Sequence, residues 1–100
     1  MNTLIEKLEK DVDKASWDLL APYFAKGLLL FVEKELDLCE VGQAVAQDDI
    51  EKVKNWQKNN LFIPVSSEQA SIWSTLPKDS CFCHFIIVQP FVLIQEFTQN

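Results

Sequence analysis

Two short stretches of this sequence hold the side chains that could do chemistry. Cys81-Phe82-Cys83-His84 places two thiols beside the single imidazole of the chain, and Asp48-Asp49 sets two carboxylates together among the acids of residues 33–51. Sulfur and imidazole ligate structural zinc and form nucleophilic dyads. Paired carboxylates can exchange protons with a substrate or hold a hard cation. The backbone decides what either group can do. In an extended strand successive side chains point to opposite faces, so Cys81 and Cys83 share one face while His84 turns to the other. Cys39 is the remaining thiol, and a closed four-ligand site would need carboxylates or a second chain. Adjacent residues on a helix do not face each other. No Gly-rich phosphate cradle, G-x-S-x-G or H-E-x-x-H accompanies Asp48-Asp49. The sequence predicts no catalytic residue, no metal site and no cofactor. Cys81, Cys83 and His84 read as strand residues at or near a core, and the acids read as a solvated surface.

All nine basic residues are lysines, set against fifteen acids, for a net charge of −6. The absence of arginine removes the usual bidentate reader of guanine edges, phosphates and carboxylates. Residues 1–50 hold eleven acids and five lysines, whereas residues 51–100 hold four of each. The acidic half repels DNA and anionic membranes and can attract a basic protein partner. One hundred residues with 48% hydrophobic side chains suffice for one core. Residues 1–14 are charged throughout, so no export signal is expected. Residues 81–94 form the longest apolar stretch but fall short of a membrane span, which needs about 20 residues. Three cysteines without a disulfide-framework spacing point to a reducing cytoplasm.

The elements that must position these groups are legible from caps and periodicity. Thr3 with Glu6, Asp37 with Glu40, Asp48 with Glu51, and Ser66 with Gln69 have capping-box spacing before helical apolar patterns. Helices are expected over residues 3–14, 16–26, 38–47, 49–59 and 67–76. The second carries Pro22, which predicts a tight first turn or a kink, and Gly27 ends it. Residues 28–32 and 61–65 read as apolar strands, and residues 81–97 as extended. The predicted fold is α+β, about five short helices on a small sheet of three or four strands. It forms a single domain over residues 1–100, with an N-terminal helix at 1–14 packed on 15–97. The expected core draws on Leu8, Leu20, Phe24, Leu29, Phe31, Val41, Val45, Val53, Trp56, Phe62, Trp73, Phe85 and Ile87. Ile50 also belongs to the inward stripe of its helix, and the three tryptophans anchor helix faces.

Residues 38–61 have the cadence of a helix-turn-helix, and the strand order permits a winged helix. A recognition helix presents its N-terminal residues to bases and phosphates. Here those residues are Asp48, Asp49 and Glu51, which a duplex carrying one charge per ~1.7 Å repels. Nucleic acid is not the expected partner.

Both faces of residues 81–97 are apolar. Pro90 cannot enter a type I′ hairpin turn, because its φ is locked negative. The reading is one long strand, bent or bulged at Pro90, whose faces a domain of this size struggles to cover. A twofold homodimer follows, with Phe91, Val92, Leu93 and Ile94 at the contact. The competing reading has helices of the same chain on both sides of the sheet.

Several residues together resemble a small bacterial family catalogued only as a domain of unknown function. The carriers are Trp17 with Phe24-Ala25 and Gly27, Leu36-Asp37-Leu38 with Val41, and Asp48-Asp49 with Val53 and Trp56. Further along come Gln69-Ala70 with Trp73, then Val88, Pro90, Val92-Leu93 and Gln95. The likeness spans about residues 15–97. Asn59-Asn60 stands where that pattern has Gly, and Cys81-Phe82-Cys83-His84 is particular to this chain. The resemblance implies a small cytoplasmic bacterial protein and carries over no activity or catalytic residue. Three readings stay open, in this order: a non-enzymatic protein-interaction or scaffold module, a degenerate winged-helix-like regulator with weak or indirect nucleic-acid contact, and an enzyme of unrecognised type. The last would need a pocket lined by residues such as Tyr23, Asp37, Glu40 and Gln95.

Overall fold

The computed structural model describes residues 12–77 and 80–97. These form a five-stranded mixed sheet with four helices, an α+β fold. The strands are β1 (Asp13–Ala15), β2 (Leu29–Val32), β3 (Phe62–Pro64), β4 (Cys83–Val88) and β5 (Phe91–Glu96). The helices are α1 (Trp17–Ala25), α2 (Leu38–Ala46), α3 (Ile50–Lys58) and α4 (Ser67–Ser74). The sheet order is β1-β4-β5-β2-β3, with β2 parallel to β5 and the remaining pairs antiparallel.

Helix starts follow local hydrogen bonding. Asp37 Oδ1 accepts from the amides of Cys39 and Glu40 at 2.9 and 3.4 Å, and Ser66 Oγ accepts from Gln69 at 3.1 Å. These are the caps the spacing predicts. At α3 the cap is one residue later than expected, because Asp49, not Asp48, accepts from Lys52 at 3.3 Å. Pro22 lies inside α1, and the tight first turn appears as a bond from the Leu19 amide to the Ser16 carbonyl at 3.2 Å.

Three helices end alike. Gly27 donates to Phe24 and Leu28 to Tyr23, Asp48 to Val45 and Asp49 to Ala44, and Asn60 to Gln57 and Leu61 to Trp56. Each pair is a Schellman closure, whose turning residue is left-handed. Gly27, Asp48 and Asn60 hold φ of 73°, 58° and 59°. Asn and Asp are among the non-glycine residues that best tolerate this conformation.

The sheet is covered on both sides. Leu20 of α1, Ala70 and Trp73 of α4, and Leu29, Phe31, Cys83, Val92 and Ile94 of the sheet form one core layer. Leu38, Val41 and Ala44 of α2, Trp56 of α3, and Val32, Phe62, Ile86 and Leu93 form the other. Trp73 centres an aromatic group with Trp17, Phe31 and Phe82, at ring separations of 4.9–6.1 Å. This two-sided burial is why residues 28–32 lack alternation.

Four expectations are corrected. Residues 81–97 are two strands, not one: Val88 pairs with Phe91 across Gln89-Pro90, whose peptide bond is cis. Excluding a type I′ turn left out this geometry, which turns the chain with Pro third of four residues. The sheet gains a fifth strand from Asp13–Ala15, three residues without strand patterning that pair with the free side of β4. Four helices stand among the described residues; the helix expected from Thr3 lies mostly outside them, and its last residues are β1. Ile87, expected in the core, is 45% exposed near the hairpin turn. Leu8 also lies outside the described residues. The other expected core positions are buried, or half-buried in the cases of Phe24, Val45, Val53 and Phe85.

Candidate functional site

The predicted site residues separate as strand geometry requires. Cys83 is buried in the layer under α1 and α4, with its thiol 3.8 Å from the Ala15 carbonyl. His84 lies on the opposite side, with its ring edge-on to Phe97 at 4.7 Å, and Cys81 is exposed ahead of the strand. Burial first, then the charges of Glu96 and Cys81, pushes the Cys83 thiol up to about 12. A thiol held protonated at neutral pH is a poor nucleophile and a poor metal ligand. Among the described residues no three His, Cys, Asp or Glu side chains gather to hold a cation.

A shallow cleft of about 340 Å³ brings Asp37, Cys39, His84 and Gln95 together with Val12 and Leu38. Two residues of the hypothetical enzyme pocket, Asp37 and Gln95, meet here. Glu40 is exposed on α2, and Tyr23 packs in the layer on the other side of the sheet. Gln95 and Asp37 hold structure in this cleft. Gln95 Nε2 donates to the carbonyls of Glu33 and Leu36 at 2.9 and 2.6 Å, pinning the loop that leads into α2. Asp37 caps that helix.

The second cleft, about 360 Å³, lies between the α2–α3 turn and the sheet. Its apolar walls include Leu30, Val45, Ile50, Val53, Phe62 and Phe91, and its polar lining is Asp48, Asp49, Lys54 and Gln57. Leu30 and Phe91 reach it from neighbouring strands, because parallel pairing sets Leu29 against Val92. Ile50 is 60% exposed, which corrects its inward assignment: as the first residue of α3 it projects past the sheet that covers Val53 and Trp56. An apolar wall with a few polar groups at its edge is the composition of a binding site.

Of the four residues expected at a dimer contact, Val92, Leu93 and Ile94 are buried within the chain, and Phe91 is half-buried in this cleft. The helices on both sides thus cover the strand faces that called for a second copy. Ile50 escaped the sequence reading as a surface residue, while Val45, expected in the core, is half-buried beside the cleft. The cue available was Ile50's place directly after an acidic pair at a helix start.

The model of a family described as "Protein of unknown function (DUF2288)" matches residues 3–96. No curated protein matches. A solution NMR structure of PA1075 from Pseudomonas aeruginosa is similar at 36% identity and a TM-score of 0.80, over 99% of this chain and 89% of that one.

Proposed function

Because the chain belongs to the DUF2288 family of proteins of unknown function, we propose from its own geometry that it is a non-enzymatic protein-interaction module of the bacterial cytoplasm. Its working surface is the cleft under the α2–α3 turn. The observation that carries this reading is an apolar cleft, lined by the exposed Ile50 and by Phe91, at the one turn bearing two adjacent carboxylates. The occupant is an apolar side chain of a basic partner protein. Negative charge at the turn and a net charge of −6 favour such a partner over a second copy of this chain.

The same acids weigh against α2 and α3 as a nucleic-acid reader. The recognition position would present Asp48, Asp49 and Glu51 to phosphates. A regulator acting through a basic partner remains compatible with the cleft.

The test places a photo-crosslinking residue at Gln57, on the cleft, and separately at Ser71, exposed on α4. In cells, the Gln57 position should give a product of discrete mass, joined to a basic segment of another protein. Ile50→Asp should remove it, and Ser71 should not reproduce it. Equal products from both positions, or none from Gln57, would overturn the reading.

A further inference from the structure

Asp48 brings a charge to a position where its counterparts carry none. Of the three left-handed helix ends, Gly27 needs no side-chain accommodation, and Asn60 and Asp48 are both of residue types that tolerate the conformation. Asp48 adds a full negative charge at the C-terminal end of α2, where the helix dipole already places partial negative charge. The start of α3 compensates little, since Asp49 caps it and Glu51 occupies its first turn. Among the described residues the Asp48 carboxylate has no hydrogen-bond or ion-pair partner. A residue that breaks a local rule without a structural return is where function is to be sought.

What Asp48 does border is the apolar cleft. Asp48 and Asp49, the latter engaged as the α3 cap, line it together with one cation, Lys54. An apolar side chain seated between Val45, Ile50 and Phe91 would leave its neighbours in sequence beside the turn. We propose that Asp48 is the specificity-determining residue of this cleft, and that the cleft takes a partner segment with an aromatic or branched aliphatic anchor next to Lys or Arg. This rests on the interaction reading above and adds the chemistry of the partner. A partner cation beside Asp48 meets a short carboxylate on an ordered turn, which has fewer rotatable bonds to order than a Glu would.

The experiment titrates the full chain, followed by amide NMR, with two synthetic peptides. Each has one central Phe, flanked in one by Lys and in the other by Glu. The Lys peptide should shift the amides around Ile50, Val53 and Phe91, and bind about tenfold more tightly than the Glu peptide at low salt. Asp48→Asn should remove most of that preference, and Asp48→Gly should do the same while keeping the fold. Equal binding of the two peptides, no binding of either, or a preference untouched by Asp48→Asn would overturn the proposal. So would shifts around Phe91 that depend on protein concentration without peptide, since a second copy would then fill the cleft. A specific crosslink from Gln57 combined with no peptide preference would sink the role of Asp48 and leave the interaction reading standing. Loss of that crosslink would sink both.

Discussion

Asp48, at φ 58°, adopts the conformation of Gly27 and Asn60 and adds a charge that neither of them carries. If the carboxylate serves a partner and not the fold, its removal should help the isolated protein. Asp48→Gly relieves the left-handed penalty and the clash with the α2 dipole, and loses part of that gain to the greater freedom of glycine in the unfolded chain. The expected net is a gain of about 0.5–1 kcal/mol in urea denaturation. A loss would mean that Asp48 stabilises the turn, and the argument for a partner would lose its footing. Cys83 gives a second forecast at this scale. Its thiol is raised from 9.0 to about 12 by burial, so alkylation at neutral pH should strike the exposed Cys81 first, and Cys81→Ser should abolish the fast phase. The sign for stability follows: a folded-state value above the unfolded one gives a contribution fully present below about pH 9 and lost as pH rises toward 12. Fast labelling of Cys83 in the intact fold would contradict its burial.

Among the elements, α3 divides labour along its length. Its first residue, Ile50, lines the cleft, and Trp56 two turns on is buried against Phe62 and the sheet. Trp56→Ala should cost about 3–5 kcal/mol, seen as a fall in the denaturation midpoint. A cost below about 1 kcal/mol would place the indole at the surface. Ile50→Ser, by contrast, should leave stability nearly unchanged, as expected of a residue 60% exposed. The two substitutions separate what the sequence could and could not reveal. Trp56 falls on the helical period with Val53, and Asp37, Ser66 and Gly27 announce element ends through local chemistry, so α2, α4 and the end of α1 are legible without a structure. Period alone also turns Ile50 inward, because it carries no information about where the sheet stops. The reversal at Gln89-Pro90 is hidden for a related reason: when both faces are apolar, alternation cannot mark where a strand folds back. The segment Asp13-Lys14-Ala15 has no strand pattern at all, and its pairing is supplied by the open side of β4. Of the candidate site, only Phe91 and the acidic turn could be named beforehand. Their meeting in one cleft depends on the parallel pairing of β2 with β5, which no local pattern encodes.

The whole molecule poses the question of self-association. An uncovered strand seventeen residues long would demand a second copy, and Phe91, Val92, Leu93 and Ile94 would then meet across a twofold axis. The hairpin halves that length, and the two helical layers bury Leu93 and Ile94 to 0% exposure within one chain. The sheet edges are modest as well. β1 has three residues, with Asp13 and Lys14 exposed, and β3 has three and carries Pro64, both devices that discourage edge-to-edge pairing. The surface proposed for another protein is the cleft at Ile50 and Phe91, and there two copies would bring like-charged turns together at a net charge of −6 each. That repulsion is screened by salt over about 10 Å at 0.1 M, which makes ionic strength the useful variable. Light scattering after size exclusion should give 11.5 kDa at low salt and at micromolar concentration. Any self-association should grow as salt rises and should disappear in Ile50→Asp. A species of twice that mass at low salt, insensitive to Ile50→Asp, would restore the twofold dimer and move its contact away from the cleft.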